Sequence, residues 1–214
     1  MQLQQASRKK AKLKCALQGP SGSGKTKSAL YIAYGLCGAW DKIAVIDTEN
    51  RSAELYSDLG SYKTVHFEPP YTPERYIDAL NVCLKGGIEV VIIDSTTHEW
   101  ENLLDYHSSL VGNSFTNWNK VTPRHEAFVN AILQANAHII CTIRSKQEYV
   151  LSEKNGKQVP EKVGMKGVQR ENLEYEFTVV LELDMSHRAK VSKDRTGLFT
   201  GKPEFIPTGG TGKA

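Results

Sequence analysis

Gly19-Pro20-Ser21-Gly22-Ser23-Gly24-Lys25-Thr26 is the stretch that decides the fold. A glycine, four residues and then Gly-Lys-Thr is the spacing of a phosphate-binding P-loop. Leu13-Lys14-Cys15-Ala16-Leu17 before it reads as a short buried strand, and residues 28–36 after it read as a helix. Strand, glycine loop and helix together turn the pattern into a site. The glycines let backbone N–H groups close around phosphate oxygens, and the helix N-terminus adds partial positive charge. Gly19, Pro20, Ser21, Gly22, Ser23, Gly24, Lys25, Thr26 and Lys27 are therefore the expected nucleotide-binding set, for ATP with Mg²⁺. Lys25 is expected at the β/γ-phosphates and the Thr26 hydroxyl at the metal.

Outward from the loop, apolar runs alternate with helical periods. Ile43–Asp47, Thr64–Phe67, Glu89–Ser95 and His138–Ile143 read as strands. Helices are expected from Thr72-Pro73 to Gly86, from Glu99 to Leu110, and from Thr122-Pro123 through Ala135, with a short one over Ser52–Leu59. Residues 144–175 show no sustained period and read as a long loop. Phe177–Leu183 and His187–Ser192 read as a late, antiparallel strand pair. The alternation implies an α/β fold with a largely parallel sheet, helices on both faces, and a ligand site at the carboxyl ends of the strands. A basic arm over residues 1–12, a core over 13–207 and a flexible glycine-rich tail over 208–214 are the expected divisions.

The chain has 214 residues, a net charge of +3, 40% hydrophobic and 24% charged residues, which is ordinary for a globular protein of one domain. No apolar run approaches the roughly 20 residues needed to cross a membrane. The four cysteines, Cys15, Cys37, Cys83 and Cys141, are widely spaced in apolar patterns and read as buried free thiols of a reducing cytoplasm.

Three strand ends bring chemistry to the loop's edge. Asp94 closes an aliphatic strand in the Walker B manner and is expected to hold Mg²⁺ opposite Thr26. Ser95 follows it, where many P-loop ATPases carry a water-activating glutamate. Glu49, just past the strand Ile43–Asp47, is the candidate base in its place; a helix-capping or solvated glutamate is the alternative.

Ala44-Val45-Ile46-Asp47-Thr48-Glu49, with Tyr56 seven positions on, resembles the RecA core, as do Val91–Ser95 and Ile139–Lys146. The resemblance implies that Glu49 is the catalytic base and that Tyr56 stacks on adenine. It puts Thr142 at the γ-phosphate sensor position, where RecA has a longer glutamine, and Arg144 at the entry to a DNA-binding loop. Ala189–Phe199, with Lys193-Asp194-Arg195 at the end of a late strand, is similar to the intersubunit finger of RecA-like recombinases and DnaB-like helicases. There Lys193 and Arg195 would reach a neighbouring subunit's γ-phosphate, making the protein a ring or filament; a solvated basic turn is the alternative. The resemblance spans residues 13–207 and extends to short RecA-core ATP-binding proteins of bacteriophages that anneal or exchange DNA strands. It would place the chain in a host cytoplasm, with a single-strand-binding protein as a candidate partner.

Residues 145–170 carry six basic side chains (Lys146, Lys154, Lys157, Lys162, Lys166, Arg170) against three acidic ones. Such a segment suits the phosphates of single-stranded DNA, with Tyr149 as a base-stacking group. The expected function is a DNA-stimulated ATPase in recombination. A small-molecule or nucleotide kinase and an ATP-switched loading module are the alternatives.

Overall fold

The computed structural model describes residue 5 and residues 11–154, 157–171 and 173–214. Its centre is a sheet of strands β1 (Lys14–Gly19), β2 (Ile43–Asp47), β3 (Lys63–His66), β4 (Val90–Asp94), β5 (His138–Lys154), β6 (Lys157–Gly167), β7 (Val179–Leu183) and β8 (Ala189–Asp194). The order is β3-β2-β4-β5-β1-β7-β8, with β6 pairing off β5. Pairing is parallel from β3 to β7, while β8 and β6 run antiparallel to β7 and β5. All five residues of β2 and of β4 are buried, as expected of central parallel strands covered on both faces.

Period-two alternation sends neighbouring residues to opposite cores. Ala16, Ile46, Ile93 and Cys141 face α2 (Pro73–Lys85) and α4 (Ser114–Gln134), where Tyr76 and Phe128 fill the layer. Cys15, Leu17, Val45 and Ile92 face α1 (Lys25–Cys37), meeting Ala29, Leu30 and Ala33. Helix α3 (Thr97–Ser109) packs beside α4.

Helix α4 begins earlier than the Thr122-Pro123 signal suggests. Asn113 Oδ1 accepts from the Phe115 and Thr116 N–H groups and caps the helix there, leaving Pro123 inside it. Trp118, in the first half, lies between Trp100 and His107 at ring-centroid distances of 6.0 and 4.2 Å. Across α2 and α4, Arg124 Nε and Nη2 each lie 2.7 Å from a carboxylate oxygen of Glu74. These hydrogen bonds hold the Glu74 carboxyl well below its ordinary value near 4.5, at about 2. A depressed acid stabilises the fold above its unfolded value and loses that contribution as pH falls through the folded one. Glu74 is half exposed, so Arg124→Ala should cost only about 0.5–1 kcal/mol. Denaturant unfolding should show the difference from wild type at pH 6 shrinking progressively from about pH 4.5 towards pH 2.

Two segments expected to be irregular are regular. Residues 144–175 are not a loop: β5 runs unbroken past the core and pairs with β6 from Ser145↔Gly167 to Lys154↔Lys157. Among the described residues no third strand flanks this hairpin, so nothing selects the alternating pattern by which a strand is read. A four-residue helix, α5 (Leu173–Glu176), follows it. The tail is not free either. Helix α6 (Gly209–Lys213), capped by Thr208, packs on α1 at its glycines. A Cβ at Gly35 would lie 2.1 Å from Gly209 O, and one at Gly212 would lie 2.1 Å from Ile32 O. Gly35→Val should therefore expel α6 and cost about 1–3 kcal/mol, as overpacking does. Thermal unfolding and faster hydrogen exchange over residues 209–213 would register it.

Of the basic N-terminal arm, Arg8, Lys9 and Lys10 lie outside the described residues. Lys14, at the start of β1, is buried, and Nζ donates to Ala135 O and Ala137 O at 2.8 Å each. Burial lowers its ammonium to about 8.

Candidate active site

The P-loop joins β1 to α1 through two left-handed glycines, Gly22 (φ 82°) and Gly24 (φ 83°). At both, a side chain would be strained. Gly24 caps α1 without a side-chain bond, and the first turn carries no acidic residue, so its N–H donors face no competing carboxylate of that turn. Lys25 is buried, and its ammonium donates to Gly19 O (2.9 Å) and Pro20 O (2.8 Å). Burial lowers its pKa, with Asp94 and Glu49 opposing. Ser23 Oγ is buried and has no partner among the described residues.

Across the edge, Thr26 Oγ1 donates to Asp94 Oδ2 at 2.6 Å. The hydroxyl and carboxylate thus converge on one point. Asp94 is 2% exposed, and burial raises its pKa against the hydrogen bonds it accepts from Thr142 and Thr26. Thr142 reaches Asp94 because β5 lies between β1 and β4. Its hydroxyl donates to Asp94 Oδ1, and its side chain is fully buried. The sensor candidate therefore touches the acid rather than lining the cleft.

Glu49 enters the same cleft from the end of β2. Asp47 shapes that turn: Oδ1 accepts from the Glu49 N–H (2.7 Å) and Oδ2 from the Ala53 N–H (2.9 Å). Thr48 Oγ1 accepts from the Ser95 N–H (2.9 Å) and lies 2.7 Å from His98 Nδ1, tying β2 to β4. Both Glu49 oxygens accept from Arg144, through Nε (2.7 Å) and Nη2. Burial alone would raise the Glu49 pKa; the hydrogen bonds and charge of Arg144 hold it below the usual value instead.

The cleft, of about 610 Å³, brings together Ser21, Gly22, Gly24, Lys25, Thr26, Lys27, Glu49, Tyr56, Asp94 and Arg144. Its size suits a small-molecule ligand. Tyr31, His187, Ile206 and Pro207 line it as well, and nothing in their local sequence singled them out. His187 arrives because the β7–β8 turn leans on the P-loop: its Nδ1 is 2.9 Å from where a Gly24 Cβ would stand.

Lys193 and Arg195 are not in this cleft. β8 runs back from Ala189, beside Leu183, to Asp194, beside Val179, and Val179 pairs with Cys15 near the start of β1. The Lys-Asp-Arg turn therefore stands at the sheet edge opposite the P-loop. Asp194 organises it, accepting from the Thr196, Gly197 and Phe199 N–H groups. Lys193 Nζ donates to Glu174 O (3.0 Å) and Tyr175 O. Arg195 is exposed, with no partner for its side chain among the described residues.

The remaining basic candidates divide. Arg144 is in the nucleotide cleft, and Arg170 Nη2 donates to Thr122 Oγ1 at 3.3 Å. Lys146 is exposed, and Lys166, also exposed, pairs with Glu171 at 3.2 Å. Tyr149, Lys154, Lys157 and Lys162 fall on the hairpin strands, but their side chains lie outside the described residues.

A glycine cradle at a helix N-terminus, a buried lysine within it, and a hydroxyl–carboxylate pair at its far side define a P-loop nucleotide-binding protein. The model of the AAA domain family matches residues 11–208; the chain belongs to that family and stands among the P-loop ATPases. No curated protein matches it. Among the described residues, no helix is long and apolar enough to cross a membrane.

Proposed function

We propose that this chain is an ATP-hydrolysing protein of RecA-core type that binds single-stranded DNA as an oligomer and promotes annealing or strand exchange. The observation that carries the reading is the continuity of β5. One strand holds Thr142 against Asp94, puts Arg144 in the nucleotide cleft, and continues as a hairpin whose sequence is rich in lysine. Nucleotide chemistry and a polyanion-binding arm would thus share a single element.

The donors and oxygens present fit ATP with Mg²⁺. The N–H groups at the start of α1 and the buried Lys25 suit phosphate oxygens, and Lys25 would exchange its two loop carbonyls for them. Thr26 and Asp94 would hold Mg²⁺, which when bound neutralises phosphate charge. Glu49 would orient the attacking water and accept its proton. Tyr56, at the kink of a 3₁₀ segment and half-buried on the cleft wall, would stack on the base. Lys193 and Arg195 would add positive charge to a neighbour's site. Because they stand at the far edge from their own cleft, the neighbour would have to bind head to tail. Such contacts make rings or filaments rather than two-fold dimers.

ATP turnover measured with and without single-stranded DNA, alongside strand binding across a salt series, tests this. Stimulated turnover with salt-sensitive binding is expected. Turnover indifferent to DNA, with no strand bound, would overturn it. A nearby origin in a bacteriophage fits the resemblance of the motifs and belongs to the same proposal.

A further inference from the structure

Arg144 pairs side-on with Glu49, using Nε and Nη2 and leaving Nη1 without a partner among the described residues. Both side chains line the cleft that holds Lys25, Thr26 and Asp94. The strand register puts Arg144 directly beside Gly19, where the P-loop begins. Its backbone is fixed: the N–H donates to Thr97 Oγ1 (2.9 Å), and the carbonyl accepts from the Val168 N–H (2.7 Å). Its side chain is 41% exposed, so the guanidinium can swing without moving the strand.

In this arrangement both oxygens of the candidate base are engaged, and their basicity is reduced. A terminal phosphate in the same cleft would compete for the guanidinium, because the planar fork matches phosphate as well as carboxylate. Thr142, buried against Asp94, leaves that contact open.

We infer that Arg144 is a γ-phosphate-binding residue that leaves Glu49 for the terminal phosphate of a bound nucleoside triphosphate, releasing the Glu49 carboxylate to face water. The inference rests on the ATPase reading of the cleft. A nucleoside diphosphate lacks the competing phosphate, so the ion pair stays closed with ADP. The exchange makes the base available only when there is a bond to cleave.

Calorimetric titration of ATPγS and of ADP into wild type, Arg144→Gln, Arg144→Lys, Glu49→Gln and the Glu49→Gln/Arg144→Gln double variant tests it. Arg144→Gln should weaken ATPγS about tenfold and leave ADP within about twofold, which also shows that the variant is folded. Arg144→Lys, which keeps the charge but loses the fork, should fall between. Glu49→Gln should tighten ATPγS, and the gain should vanish in the double variant, because it comes from the liberated guanidinium. Equal effects of Arg144→Gln on both nucleotides, or none on either, overturn the inference. So does a Glu49→Gln gain that survives in the double variant, since that gain would be lost carboxylate–phosphate repulsion. Wild type that binds neither nucleotide defeats the ATPase reading itself, a separate outcome.

Discussion

Glu49→Gln should lower ATP turnover by about 10²–10⁴-fold, the usual contribution of a positioned general base, with nucleotide binding retained. The amide keeps the shape of the side chain and its place at the end of β2, where Asp47 holds the Glu49 N–H. It loses the capacity to take a proton from water. Ligand-induced stabilisation should persist in the variant: at a hundred times Kd, a bound nucleotide adds about 2.7 kcal/mol. Turnover and thermal shift therefore separate cleanly. A variant that still hydrolyses ATP at close to the wild-type rate would remove Glu49 from the chemistry.

Lys25→Ala should act on both measurements. The ammonium is the one cation buried within the P-loop, held 2.9 and 2.8 Å from Gly19 O and Pro20 O. Its loss removes the main positive charge facing the phosphates and leaves those carbonyls without their donor. Turnover should fall by about 10²–10³-fold, as when one preorganised donor to a developing charge is removed. The thermal shift with nucleotide should shrink with it. A Lys25→Ala protein that keeps the full shift would mean that the cradle binds something other than a phosphate chain.

Much of this site is legible before any coordinates. Val90–Ile93, ahead of Asp94, reads as a buried strand because it is aliphatic throughout, and a parallel strand covered on both faces permits little else. The P-loop is legible because its glycines are required by backbone geometry, here the positive φ of Gly22 and Gly24. The Glu49–Arg144 pair is not: the two are 95 residues apart, and only the insertion of β5 between β1 and β4 brings them together. The RecA resemblance put Arg144 at the entry to a DNA-binding loop, and nothing in the sequence tied it to Glu49. The hairpin is hidden because residues 144–175 show no sustained period, although β5 and β6 pair there away from the path of the other strands. α6 is hidden for the opposite reason: Gly209-Gly210-Thr211-Gly212 reads as slack chain, yet those glycines let its backbone lie against that of α1. Composition reports what a side chain contributes, and here the missing side chains make the contact.

The placement of the Lys193-Asp194-Arg195 turn, at the sheet edge away from the P-loop, has a consequence in stoichiometry. If each turn completes the next chain's site, an open row of n chains has n − 1 complete sites and one incomplete site at its end, while a closed ring has none incomplete. Specific activity in filaments would then climb with length and fall on dilution, as ends multiply. In rings it would hold constant until the ring itself comes apart.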